Sequence, residues 1–194
     1  MRLSRWTVVA ALGATLACRS RSSAPDVAAL VRDLQSLDSE VAGKANLALI
    51  RVGKPAAPQI AELLKSEDPR LRQTAATTLW GMGAKGRVAV PDLATTVTED
   101  AEPSVRLSAA MALGSIGPDA KDAVPALVRA LKDRDTEVRL QAAKALGAIG
   151  PGAQDAIPAL SQAAKNDGVR SAAEEAILQI RGSGAITPSD SPSP

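Results

Sequence analysis

Apolar residues recur through the middle of the chain at intervals of three and four, the spacing of one face of a helix. The pattern is clearest over 123–150. Leu127, Val128 and Leu131 share the face of a short segment, and Val138, Ala142, Leu146 and Ile149 share the face of a longer one. A charged break, KDRD at 132–135, lies between them. Pro125 opens the first segment, where a missing N–H costs nothing and the fixed φ suits a helix. Gly150 followed by Pro151 closes the second, as Gly117 followed by Pro118 does one unit earlier. The pattern predicts two short helices per unit.

The unit repeats. AVPALVRAL at 123–131 returns as AVPDLATTV at 89–97 and AIPALSQAA at 156–164, with APQIAELLK at 57–65 as a looser copy. The prolines Pro58, Pro91, Pro125 and Pro158 are spaced by 33, 34 and 33 residues. EVRLQAAKALGAIG at 137–150 matches SVRLSAAMALGSIG at 104–117, RLRQTAATTLWGMG at 70–83 and EVAGKANLALIRVG at 40–53. A fifth copy, VRSAAEEAILQIR at 169–181, lacks the final Gly. Neither helix of a unit can bury its apolar stripe alone, so neighbouring pairs must stack. The expected units are about 26–57, 58–90, 91–124, 125–157 and 158–181.

The recurring D-x-x-V-R-x-x-A-A-x-A-L-G-x-I-G resembles the HEAT repeat, in particular the short form found in phycobilisome-lyase-type proteins. The resemblance spans about 26–181. It implies an all-α fold, a right-handed α-α superhelix of about five helix pairs, with first helices on the convex side and second helices on the concave side. Tetratricopeptide and ankyrin arrays have similar periods, but their aromatic and T-P-L-H signatures are missing.

Two polar ladders run through the register. Three positions before the unit's Val sit Asp38, Asp68, Glu102, Asp135 and Asn166. An acid there suits a helix N-cap or first turn. One position after the Val sit Ala42, Arg72, Arg106, Arg139 and Arg170. The arginine resembles the HEAT-family residue that hydrogen-bonds between repeats, and recurrence in nearly every unit favours a structural role over an active site. Ala42 in the first unit fits a terminal unit without a preceding neighbour.

Off the buried stripe, two columns of the second helices are expected to face the groove. One holds Lys44, Thr74, Ser108, Gln141 and Ala172; the next holds Leu47, Thr77, Met111, Lys144 and Glu175. Small, neutral groups of this kind are poor ligands for phosphate and suit an unidentified protein or peptide partner better. A solvated face without a partner is the alternative. Trp80 stands where the other units have Ile50, Gly114, Gly147 and Leu178. Two placements are open: a partly exposed anchor at the groove rim, or a ring packed between the first two units.

Composition removes most chemistry. The 194 residues include no His, Tyr or Phe, one Cys and two Trp. The commonest general base and metal ligand is therefore missing, as is any Ser–His pair, and the expectation is a non-enzyme without cofactor or metal. Among HEAT-like enzymes, a di-iron hydroxylase needs His ligands and a DNA glycosylase needs a basic groove. A phycobilin lyase shares the repeat type, so a chromophore- or cofactor-handling protein stays as the alternative reading, although no Tyr is present. The net charge of +2 matches Arg2 and Arg5; over 26–181 there are 19 basic and 20 acidic residues. Nucleic acid, which needs rows of Lys and Arg or stacking aromatics, is not an expected partner.

The N-terminus reads as an address. Arg2 and Arg5 precede an apolar stretch, Trp6 to Leu16, too short to span a bilayer as a helix but proportioned like a secretory signal peptide. Thr15, Leu16 and Ala17 before Cys18 resemble the lipobox of bacterial lipoproteins, imperfectly, since that family prefers Leu three residues before the Cys. The resemblance implies lipidation at Cys18, a membrane anchor, and a position at the cell envelope. Residues 19–25 (RSRSSAP) then form a tether, which spans at most about 25 Å when extended. Residues 182–194 (GSGAITPSDSPSP) have the composition of a disordered tail.

Overall fold

Helix starts and stops follow the sequence signals, and the computed structural model describes residues 26–182. Among these, ten α-helices form five pairs: α1 (Val27–Leu34) and α2 (Ser39–Val52), α3 (Ala57–Leu63) and α4 (Pro69–Met82), α5 (Val90–Glu99) and α6 (Pro103–Ile116), α7 (Val124–Ala130) and α8 (Thr136–Ile149), α9 (Ile157–Ala163) and α10 (Arg170–Arg181). The expected signal segment, Cys18, the tether and the tail beyond Gly182 lie outside the described residues.

The second helices are capped by the first ladder where its side chains are short enough. Asp38 accepts from the backbone N–H groups of Glu40 and Val41, Asp68 from that of Arg70, and Asp135 from those of Glu137 and Val138. Glu102 occupies the N-cap of α6 without a side-chain bond, because its extra methylene carries the carboxylate past the N–H groups. Asn166 departs from the expected ladder: the step from Pro158 to Val169 is two residues shorter than that from Pro125 to Val138, and Val169 is the N-cap of α10.

At their C-termini, α2, α4, α6 and α8 end on Gly53, Gly83, Gly117 and Gly150, each at positive φ, where a side chain would be strained. After the last three the chain makes a 3-10 run, Gly83–Ala89, Gly117–Ala123 and Gly150–Ala156, before the next first helix. The sequence pattern did not predict these turns. Between α2 and α3 the connection is three residues shorter, and no 3-10 run forms.

One apolar core runs through all five pairs. Val138, Ala142, Leu146 and Ile149 are fully buried, as is the row Leu49, Leu79, Leu113 and Leu146, one from each of the first four second helices. The second helices α4, α6, α8 and α10 pack against one another in a file, whereas first helices of adjacent units meet less. Elements that crowd together lie on the inside of a curve, which puts the second helices on the inner side.

Candidate functional site

Glycine makes that inner file tight. A Cβ at Gly114 would lie 3.2 Å from the Cα of Ala145, and one at Gly147 would lie 3.0 Å from the Cα of Ala176. These two positions are therefore small because the next unit's helix backbone passes close by. In the second unit the same position carries Trp80, whose backbone carbonyl accepts a 2.9 Å bond from the Ser115 hydroxyl of the next unit. Trp80 leaves 49% of its surface exposed. The ring is therefore only partly buried. Leu47 on α2 is 60% exposed at a position three residues earlier in the register.

The rest of the groove columns divide. Lys44 and Lys144 are exposed, and Lys44 pairs with Glu40 within its own helix. Thr74, Thr77, Met111 and Gln141 are half-buried. The Thr74 and Thr77 hydroxyls donate to backbone carbonyls one turn back, at 2.8 and 3.0 Å, and so are engaged in their own helix. Ser108 does not face the groove. It is 4% exposed and its hydroxyl donates to the Ser104 carbonyl, because a side chain this small fits beneath the file of packed helices. Ala172 is likewise buried. What remains accessible is mixed: Lys44, Leu47 and Trp80 toward the N-terminal end, Lys144 and Glu175 toward the C-terminal end. Leu178, on α10, is a further exposed apolar residue at the Trp80 register. Among the described residues, no group of three Asp or Glu side chains converges as a metal ion would require.

The arginine ladder holds the units in register, and it reaches forward. Arg72 donates through Nε and Nη2 to both carboxylate oxygens of Asp100 in the next unit, at 2.6 and 2.9 Å, while Nη1 donates to the carbonyls of Ser66 and Glu67 in its own unit. Arg106 repeats this with Asp133, at 2.7 and 2.9 Å, and with the carbonyls of Asp100 and Ala101. Each guanidinium thus stitches two inter-helix turns together by a bidentate pair. Because the contact runs forward, Ala42 is not explained by a missing preceding neighbour. The next unit has Ser66 where the carboxylate would stand, so an arginine at 42 would have no partner. Asp100 and Asp133 were not singled out as pair members from sequence; their signal is a position shared with Ser36, Ser66 and Asn166, all bonding the N–H two residues on.

Burial of the Asp100 and Asp133 side chains pushes their carboxyls up. The guanidinium hydrogen bonds, a backbone N–H and the nearby positive charge outweigh this and hold both below the usual carboxylate range. Arg72 and Arg106 are shifted up, chiefly by the same hydrogen bonds.

A family model described as HEAT repeats matches residues 90–178. Among solved structures, the complex of CpcE and CpcF of phycocyanin lyase from Nostoc sp. PCC7120 is similar at a TM-score of 0.65 and 20% identity, over 79% of this chain and 96% of that one. The fold is a HEAT-like solenoid. Two engineered proteins share the solenoid. One matches at a TM-score of 0.58 and 26% identity, over 80% of this chain and 79% of that one; the other matches at 0.59 and 27%, over 79% of this chain and 47% of that one. No curated protein matches the chain.

Proposed function

We propose that this HEAT-like solenoid is a non-enzymatic scaffold, tethered to the bacterial envelope through Cys18, that docks a protein or peptide partner on its inner face. The observation that carries the docking is the half-exposed Trp80, with Leu47 exposed on the preceding second helix, at a register position where the next two units have only Gly114 and Gly147. A large aromatic held on rigid helices costs little entropy to bury against a partner, which is why Trp dominates interface hot spots. The near-neutral repeat region supports a protein partner over nucleic acid. Among the described residues no helix is long and apolar enough to cross a membrane. The tether therefore rests on the lipobox-like run before Cys18, whose lipid would anchor the domain within reach of a seven-residue linker.

Two substitutions test the two halves of the proposal. Cys18→Ser is expected to move the protein from the membrane fraction to the soluble one; unchanged fractionation would remove the anchor. Trp80→Ala is expected to leave fractionation unchanged and abolish crosslinking to the partner. A chromophore- or cofactor-handling role is the second reading, supported by the structural likeness to the CpcE and CpcF complex of phycocyanin lyase. It predicts absorbance from a co-purified pigment, which the scaffold reading does not.

A further inference from the structure

In the arginine ladder, Arg170 of the last described unit pairs with Asp167 of its own unit, and Arg139 is the arginine whose following unit is present but lacks the acid. Arg139 keeps the inner half of the arrangement: Nη1 donates to the carbonyls of Asp133 and Arg134 at 2.8 and 3.1 Å. In the next unit the equivalent of Asp100 and Asp133 is Asn166, which still accepts from the backbone N–H two residues on, at Gly168. As a neutral amide it cannot supply the two carboxylate oxygens that Arg72 and Arg106 receive. Arg139 Nη2 turns to the Thr136 hydroxyl, and its Nε is buried without an acceptor among the described residues. A buried guanidinium N–H left unpaired is costly, so the arrangement favours any ligand that pairs it.

Beside this edge lies a cleft of about 710 Å³ between the fourth and fifth units, lined by Arg139, Lys132 and Lys165 together with Gln162 and the apolar Val128 and Val169. Asp133 also borders it, but that carboxylate is held by Arg106. The volume is that of small-ligand sites, which run from about 300 to 1,000 Å³. We propose that this cleft is a carboxylate-binding site, in which the ligand's two oxygens take the place on the Nε–Nη2 edge of Arg139 that Asp100 and Asp133 take on Arg72 and Arg106. The lysines bias the cleft toward anions. Its apolar wall suits a carboxylate carried on a carbon chain better than inorganic phosphate. The site is separate from the inner face and stands or falls independently of the scaffold reading.

The test is side-chain NMR of the full-length protein, following arginine Nε–H resonances. Arg72 and Arg106 serve as internal references for the paired state. The probes are succinate, a capped Ala-Ala-Asp-Ala peptide, its Asn counterpart and inorganic phosphate. Succinate or the Asp peptide is expected to move the Arg139 resonance toward the positions of Arg72 and Arg106, with the Asn peptide inert. Stronger binding of succinate assigns a small-molecule carboxylate; stronger binding of the peptide assigns an acidic side chain. Arg139→Gln should weaken binding by about tenfold or more. Asn166→Asp fills the edge with the chain's own carboxylate, so the Arg139 resonance should sit at the paired position without ligand, and binding should be lost in a folded protein. The proposal is overturned if neither carboxylate probe moves Arg139, if phosphate binds as well as succinate, or if Asn166→Asp leaves binding intact.

Discussion

Arg106→Ala is expected to destabilise the solenoid by about 4 kcal/mol, because it leaves the Asp133 carboxylate buried and unpaired. The Arg106 and Asp133 side chains are 4% and 10% exposed, so water cannot replace the lost partner. Two backbone carbonyls in the turn between α5 and α6 lose their donor as well. Replacing both partners by leucine should cost much less, since no charge is then stranded. Denaturant unfolding of the single and double variants measures the difference; equal losses would mean the pair matters only through packing.

The same pair sets an acid limit. Because Asp133 and Asp100 titrate below the usual carboxylate value when folded, their contribution is complete above that value and is lost as pH falls below it, through their folded pKa values. Stability should therefore drop between neutral pH and the strongly acidic range, and Asp133→Asn should flatten the drop while lowering the neutral plateau.

Leu113→Ala is expected to cost about 3 kcal/mol, the middle of the usual range for a fully buried leucine. Leu113 is 0% exposed and lies on α6, which packs against α4 on one side and α8 on the other. The equivalent residue in the last described unit, Ile177, is only partly buried, and no further unit packs on it among the described residues. Ile177→Ala should cost about 1 kcal/mol, because in a solenoid stability is a sum of unit and nearest-neighbour terms and an end unit has one neighbour. Thermal unfolding resolves the two: a melting temperature lowered by roughly 6–12 °C for Leu113→Ala and much less for Ile177→Ala. Equal shifts would contradict a core shared from unit to unit.

Helix pairs, stacking and most caps were legible in the sequence, because a unit repeated five times shows its buried positions by recurrence. Leu113 and Leu146 stand at matching places for the same physical reason. Pairings that cross units were harder. Arg106 and Asp133 are 27 residues apart and belong to different copies, so no local spacing joins them. The two-residue shortening before α10 also shifted Asn166 into the wrong ladder and hid its kinship with Asp133. Exposure along the inner face was only half legible. Thr74 and Ser108 occupy the same register position with similar polarity, yet Ser108 is buried and Thr74 is not, because burial depends on how closely the neighbouring helix approaches. Trp80 could be read either way from its size, and its placement comes from the packing of α4 beside α6.

The inner face around Trp80 is the proposed docking surface. Its most direct test is a photo-crosslinking amino acid placed at position 80, with position 59 on α3 as the control, in otherwise intact protein within its envelope. One discrete adduct is expected from position 80, lost when Leu47 is replaced by Asp, and no such adduct from position 59. Identical adducts from both positions, or none from position 80, would contradict docking there.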